Sequence, residues 1–207
     1  RNGFLDEAER ELQAAIARCR VPDYNPPAHN SLGLIYMERG LLDKAEQKFL
    51  LAIKQKKEYA TPYNSLGLLY KKKGLTDKAI ENFKAALSYR PEYVSAYNNL
   101  GNIYLDQGLF DMAEQVFKKA LLYSPENLEA NNNLGLAYMR NGLLDKAEER
   151  FKLALYYRPD NPIIHNNLGI VYWEKGMLEE AKREFRTAVR LKPNYAEAAQ
   201  NLGKVTK

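Results

Sequence analysis

Few side chains in the sequence are suited to covalent catalysis or to metal binding. The 207 residues include two histidines, His29 and His165, and one cysteine, Cys19. A nucleophile needs a base within hydrogen-bond reach, and a structural metal site needs several sulfur or nitrogen ligands. One cysteine cannot form an internal disulfide, and its spacing from both histidines suggests no nucleophile–base pair. The sequence therefore predicts no catalytic residues, no metal site, no cofactor and a protein that is not an enzyme.

Side chains suited to binding are abundant, and they recur at a fixed interval. The stretch Asn98-Asn99-Leu100-Gly101 contains a Leu-Gly pair that returns every 34 residues. A tyrosine follows three residues after the glycine in the first five copies. A constant period of this length indicates an array of stacked units rather than one closed core. The six glycines are Gly33, Gly67, Gly101, Gly135, Gly169 and Gly203.

Each unit reads as two helices joined by a turn. A second set of glycines separates two apolar-periodic runs, and a proline usually ends the second run, although Lys57 replaces it in the first unit. Glycine supplies the positive φ that ends a helix, and proline blocks its continuation. The turn glycines are Gly40, Gly74, Gly108, Gly142 and Gly176, and the prolines are Pro91, Pro125, Pro159 and Pro193.

These signals predict one array over residues 1–207. Residues 1–20 are expected to be the second helix of a truncated repeat, and residues 21–27 a proline-rich linker, because three prolines cannot lie inside a helix. The last segment, 196–207, is expected to be a terminal capping or truncated helix. Five full repeats are predicted between them, at 26–59, 60–93, 94–127, 128–161 and 162–195.

Apolar residues three or four apart place one packing face on each helix. In the third repeat, Gly101 and Ala113 are small enough to let the paired helices approach closely, while Tyr104 and Phe117 are large enough to fill the space beside them. A helix of about 13 residues is marginal alone in water, so each must be stabilised by its neighbours.

This spacing resembles the tetratricopeptide repeat, whose pattern is an aromatic residue followed by Leu-Gly, Tyr, Ala, Phe, Ala and Pro over 34 residues. His29, Asn131 and His165 depart from it at the first aromatic position. The resemblance implies an all-α fold, a right-handed α-solenoid of antiparallel helix pairs. It also implies a protein–protein interaction scaffold that binds a peptide or partner helix in a concave groove lined by the first helices.

The resemblance also implies which side chains face the groove. Positions 5 and 6 of each repeat are mostly asparagine, and an amide both donates to and accepts from a peptide backbone. Positions 9 and 12 are mostly aliphatic, with Trp173 as the best anchor candidate. The alternative is that the asparagines only satisfy neighbouring helices. The predicted partner-binding residues are Asn98, Asn99, Asn102, Asn132, Asn133, Leu136, Met139, Asn166, Asn167, Ile170 and Trp173. The asparagine row at position 6 resembles that of the O-GlcNAc transferase repeats.

Two further functions stay open in the sequence, and the first of them follows from charge. The net charge is +5, and residues 44–90 alone carry +7. This basic region raises the possibility of nucleic-acid binding, although Lys71-Lys72-Lys73 lacks interleaved aromatic residues, so a solvated face is favoured. The array is alternatively the recruiting region of a larger enzyme or assembly machine, of the glycosyltransferase or type IV pilus assembly type. We expect no membrane span and a soluble, cytoplasmic protein, or a periplasmic one if a signal segment was removed.

Overall fold

The computed structural model describes residues 2–19, 21 and 23–206, and in this part of the chain all regular structure is helical. Four positions of the predicted segments lie outside the described residues. They are Arg1 and Arg20 in 1–20, Pro22 in 21–27, and Lys207 in 196–207. The helices are α1 (Asn2–Ala17), α2 (Pro26–Glu38), α3 (Leu42–Gln55), α4 (Ala60–Lys72), α5 (Thr76–Tyr89), α6 (Val94–Asp106), α7 (Phe110–Tyr123), α8 (Leu128–Arg140), α9 (Leu144–Tyr157), α10 (Pro162–Glu174), α11 (Leu178–Leu191) and α12 (Ala196–Val205).

The helices form two compact units, residues 1–99 and residues 100–207. In the first unit α2 pairs with α3 and α4 with α5, while α3 packs against α4. In the second unit α8 pairs with α9 and α10 with α11, while α9 packs against α10. Connections of three residues, such as 39–41 and 141–143, reverse the chain between paired helices. The predicted fold class, all-α with antiparallel helix pairs, is confirmed.

Glycine ends the first helix of each full repeat in the way that the sequence predicts. The five turn glycines have φ between 73° and 76°. At Gly40 the following amide, that of Leu41, donates to the carbonyl of Tyr36 at 2.8 Å, which satisfies a carbonyl at the end of α2. The same bond recurs from Leu143 to Tyr138 in the second unit, at 2.9 Å. The reversal of direction is therefore local to each turn.

The Leu-Gly glycines allow a phenylalanine ring to lie directly on the first helix. A Cβ added to Gly135 would lie 2.6 Å from Cε1 of Phe151, and one added to Gly33 would lie 2.4 Å from Cε1 of Phe49. No real Cβ approaches an atom so closely. Phe49 and Phe151 are fully buried, as are the alanines one helical turn before and after each ring. The close approach predicted for Gly101 and Phe117 is confirmed.

The proline-rich segment is shorter than predicted. The linker was expected to extend to Pro27, but α2 begins at Pro26. Proline is tolerated in the first turn because its missing N–H has no helical partner there. Asn25 lies just before the helix, and its side chain accepts a hydrogen bond from the amide of Ala28 at 3.1 Å. The linker assignment was therefore wrong for Pro26 and Pro27, which the predicted first full repeat, 26–59, also contained.

Adjacent helix pairs are joined by a repeated polar contact. The Tyr70 hydroxyl donates to Glu46 at 2.8 Å, and Lys73 pairs with Glu46 and with Asp43 at 2.5 and 2.9 Å. The hydrogen bond from Lys73 holds the pKa of Glu46 below its usual value. In the second unit Lys175 bridges Asp145 and Glu148 in the same way. These bonds fix the second helix of one repeat to the first helix of the next.

Candidate functional site

The predicted partner-binding side chains lie on first helices. Asn132, Asn133, Leu136 and Met139 are on α8, and Asn166, Asn167, Ile170 and Trp173 are on α10. Asn102 is on α6 within the second unit, whereas Asn98 and Asn99 belong to the first unit. Residues at i, i+3 and i+4 share one helix face, so each helix presents amides near its N-terminus and apolar side chains near its C-terminus.

The asparagines bind one another between repeats. Asn167 donates to Oδ1 of Asn132 at 2.9 Å, and Asn201 donates to Oδ1 of Asn166 at 3.0 Å. In the first unit Asn99 donates to Asn64 at 3.0 Å. Position 6 of one repeat thus donates to position 5 of the repeat before it. Asn133, at position 6 of the repeat 128–161, differs. It donates at 2.7 Å to Asn102, which is at position 9 of the preceding repeat.

Burial divides the asparagines into two groups. Asn98, Asn166 and Asn167 are buried, with 2%, 0% and 7% of their surface exposed. Asn99, Asn102, Asn132 and Asn133 are half-buried. An amide has two donor hydrogens and an acceptor oxygen, so a single inter-repeat bond leaves capacity for further bonds. This capacity reaches the surface only in the half-buried group.

An apolar row lies beside these amides in the second unit. Leu136, Met139 and Ile170 are half-buried. Trp173 is 37% exposed, and Nζ of Lys204 lies 5.7 Å from the centre of its ring. A lysine over an indole face is a cation–π contact, which leaves the rest of the ring open. The surface formed by Asn102, Asn132, Asn133, Leu136, Met139, Ile170 and Trp173 is called the first-helix surface below.

A cavity of about 400 Å³ opens at the N-terminal ends of α8 and α10. Leu128, Ile163 and Ile164 supply its apolar lining, and Asn132 connects it to the first-helix surface. Ile163 is 48% exposed although it is a large aliphatic residue. Among these residues the sequence argument identified only Asn132. Ile163 could have been singled out because it occupies position 2, where the other full repeats carry Pro27, Thr61, Ser95 and Glu129.

Within the residues that the structure describes, neither histidine ring is hydrogen-bonded to a cysteine or hydroxyl side chain. His29 is fully buried, and its Nε2 lies 2.8 Å from the carbonyl of Asp23. His165 bonds the carbonyl of Pro159 at 2.8 Å and the carboxylate of Glu184 at 2.6 Å. Burial is the largest single effect and opposes protonation, but the bonds to Glu184 and to the Pro159 carbonyl and the charge of Glu184 together raise the pKa of His165. Cys19 bonds the carbonyl of Ala15 instead. Among the described residues no group of three or more potential ligands could hold a metal ion.

The basic region 44–90 is partly neutralised by bonds within the chain. Lys73 is paired with two carboxylates, and Lys72 donates to the carbonyl of Met37 at 3.2 Å. Lys44 and Lys78 lie over the rings of Tyr36 and Tyr70, at 6.0 and 5.5 Å. These contacts agree with a solvated helix face, and nucleic-acid binding by this region stays an untested prediction.

Comparison with known families identifies the class. A family model described as tetratricopeptide repeat matches residues 1–61, 100–162 and 132–196, and a second, described as TPR repeat, matches residues 73–108. The chain belongs to the tetratricopeptide repeat family. Members of this family are generally non-catalytic scaffolds for protein–protein interaction, and they take protein or peptide partners. A search of curated protein sequences gave no match.

Solved structures with the same fold cover most of the chain. The structure of YrrB, described as a TPR protein with an unusual peptide-binding site, is 20% identical with a TM-score of 0.70, over 91% of this chain and 96% of that one. TTC0263, a thermophilic TPR protein from Thermus thermophilus, is 26% identical with a TM-score of 0.67, over 88% and 99%. A chain of the APC/C hetero-tetramer Cut9-Hcn1 gives 20% identity and a TM-score of 0.80, over 98% and 40%.

The lengths and compositions of the helices bear on whether any of them could cross a membrane. In the described part of the chain, no helix combines the length and the apolar character that crossing a bilayer demands.

Proposed function

We propose that this protein binds a peptide or partner helix of another protein along the first-helix surface, in the groove that its family resemblance implies. The observation that carries the proposal is the inter-repeat amide bonding, which holds a row of half-buried asparagines beside an open apolar row. A binding site formed from side chains already fixed by their neighbours loses little conformational entropy when a ligand arrives.

The amides supply affinity without strong sequence preference. Asn132 and Asn133 bond each other at 3.0 Å, and both keep donor or acceptor capacity beyond that bond. An extended peptide backbone presents a donor and an acceptor at every residue other than proline. Half-buried amides are suited to such a ligand. The buried Asn98, Asn166 and Asn167 are proposed to support them, and any direct contact of these three with a ligand stays a prediction.

The apolar row supplies an anchor. Trp173 combines a large exposed ring with a fixed position beside Lys204, and Ile170 lies one helical turn before it. Aromatic side chains of this kind often dominate the binding energy of an interface. The cavity beside Ile163 is large enough for one aliphatic or aromatic side chain of the ligand. The favoured ligand is therefore a peptide with two apolar side chains separated by backbone that the amides bind.

The test uses a displayed library of random peptides, selected on the whole chain and then measured individually by fluorescence anisotropy. We expect Trp173→Ala to weaken the selected peptides by about tenfold or more, because it removes the proposed anchor. Asn133→Ala should weaken them less, by a few-fold, since it removes one amide from a row.

Phe4→Ala is the matched control, because it removes a large aromatic side chain that is 76% exposed on α1, which contributes nothing to the first-helix surface. Its affinities should equal those of the unmodified chain. Peptides that bind Trp173→Ala and Asn133→Ala as tightly as the unmodified chain would contradict the proposal.

A further inference from the structure

A second exposed surface lies on the second helices of the second unit, away from the amides. Leu122 near the end of α7 is 77% exposed, and Tyr156 near the end of α9 is 80% exposed. The two residues are 34 positions apart, so they occupy the same place in consecutive repeats. Tyr157 and Leu191, at the next position in their repeats, are 38% and 37% exposed. In a stacked array, equivalent positions of consecutive repeats lie on the same face, and exposed apolar side chains that share a face are typical of an interaction site.

The chain itself offers a comparison for this position. The first two full repeats carry Lys54 and Ser88 where the next two carry Leu122 and Tyr156. The tetratricopeptide fold therefore does not require an apolar residue here. Tyr156 packs edge-on against Tyr157, with ring centres 5.4 Å apart. Leu122 and Tyr156 are both largely exposed, so packing in the helix stack does not explain why they are apolar. The apolar character belongs to this surface and not to the repeat pattern.

Basic residues accompany the apolar side chains at equivalent positions of the second helices. One helical turn before the exposed position, the three second helices carry Lys118, Lys152 and Arg186, and α11 continues with Arg190 at the exposed position itself. Lys118 and Lys152 are paired with Glu114 and Glu148. Arg158, Arg186 and Arg190 are exposed and form no ion pair within the described residues.

A cation near the C-terminus of a helix is ordinary, because it complements the helix dipole. The charges alone therefore would not identify a site. Their position beside Leu122 and Tyr156 does, since apolar side chains with unpaired guanidinium groups match a ligand of the opposite charge that also carries apolar groups. The set of Leu122, Tyr156, Tyr157, Arg158, Arg186, Arg190 and Leu191 is called the outer patch below.

We infer that the outer patch binds an acidic segment of a partner protein, one in which carboxylates alternate with aromatic or aliphatic side chains. The carboxylates pair with the free arginines, and the apolar side chains cover Leu122 and Tyr156. Single-stranded nucleic acid fits less well, because bases bind by stacking and only Tyr156 and Tyr157 offer an aromatic face, whereas Leu122 and Leu191 do not.

The test uses a fluorescent peptide of repeated Asp-Phe-Glu-Leu and measures its anisotropy with the whole chain. We expect saturable binding that weakens as salt is added. The double variant Leu122→Ser, Tyr156→Ser takes the residue that the chain already carries at Ser88, and it should lower the affinity about tenfold. Arg186→Glu with Arg190→Glu should lower it at least as much, because it reverses the charge opposite the carboxylates.

Matched probes and variants decide the outcome. Binding of a peptide of repeated Lys-Phe-Lys-Leu should not be reduced by the outer-patch variants. Trp173→Ala should leave unchanged the part of the acidic-peptide binding that those variants remove, which separates this patch from the first-helix surface. Thermal melting followed by circular dichroism should show the serine variant folded, since both replaced side chains are exposed.

Several results would overturn the inference. They are the absence of saturable binding by the acidic peptide, equal binding by the serine variant, and tighter binding of oligothymidine or of phosphatidylserine-containing vesicles that depends on the same residues.

Discussion

The glycine and phenylalanine of each repeat form a single packing unit. The ring of Phe151 occupies the space that a Cβ on Gly135 would need, and the ring is fully buried. Neither the glycine nor the phenylalanine forms this packing contact without the other. Glycine weakens a helix interior by about 1 kcal/mol relative to alanine, so its presence there requires a compensating contact. The buried ring is that contact.

Gly203 allows this to be tested within the same chain. A Cβ on Gly203 meets no atom within 4 Å among the described residues, whereas one on Gly135 lies 2.6 Å from Phe151. We expect Gly135→Ala to destabilise the protein by about 1–3 kcal/mol through overpacking. Gly203→Ala should leave it unchanged or more stable by up to about 1 kcal/mol, since alanine favours the helix.

Urea unfolding of the two variants checks this prediction. Equal midpoints for Gly135→Ala and Gly203→Ala would show that the ring moves aside without cost.

Position 4 shows what a departure from the repeat pattern does. His29, Asn131 and His165 replace an aromatic residue, and each bonds the carbonyl six residues before it, on Asp23, Pro125 and Pro159. The polar side chain therefore fixes the loop that enters the helix. Where the aromatic residue is kept, at Tyr63, the ring instead packs on Tyr89 at 5.3 Å.

At the scale of helices, His165 also joins α10 to α11 through Glu184. Burial, the largest effect, and the nearby Arg190 lower the pKa of His165, but the bonds to Glu184 and to the Pro159 carbonyl and the charge of Glu184 together raise it above its ordinary value of 6.5. A group whose pKa is higher in the folded state stabilises fully below its unfolded pKa, and this stability is lost as pH rises through the folded pKa. We therefore expect the melting temperature to fall from pH 6 toward pH 9 by an amount that depends on His165.

His165→Asn is the matched variant, since Asn131 already makes the same carbonyl bond in the preceding repeat. It should retain the loop contact and remove this part of the pH dependence. If melting curves of the variant and the unmodified chain change equally with pH, the His165–Glu184 bond contributes nothing to stability.

At the scale of the whole molecule, the two proposed surfaces are formed by different helices. The first-helix surface uses α6, α8 and α10, while the outer patch uses α7, α9 and α11. If both proposals hold, this tetratricopeptide repeat protein presents two independent binding sites. The scaffold function then consists of bringing two different ligands to one molecule.

This arrangement predicts simultaneous binding. Peptides selected for the first-helix surface should not displace the acidic peptide from the outer patch, and each affinity should change less than about twofold when the other ligand is present. Competition anisotropy with two differently coloured peptides measures this. Full displacement of one peptide by the other would mean that they share a site.

Much of the fold was predictable from the sequence because its causes are local. Gly40 and Gly142 end their helices through backbone conformations that glycine adopts without cost, and the 34-residue period is visible in the sequence itself. The same locality explains why the predicted linker extended too far. Pro26 was excluded from a helix by a rule for helix interiors, whereas its place is in the first turn.

The amides show what the sequence by itself determined and what it could not. Asparagines at positions 5 and 6 were visible as a row, and their chemistry followed from their type. Only the tertiary structure decided that Asn167 is buried against Asn132, while Asn133 is half-exposed and bonds Asn102. Exposure depends on side chains about one repeat away in sequence, which packing brings into contact. A repeat pattern treats such positions as equivalent, and the packing makes them different.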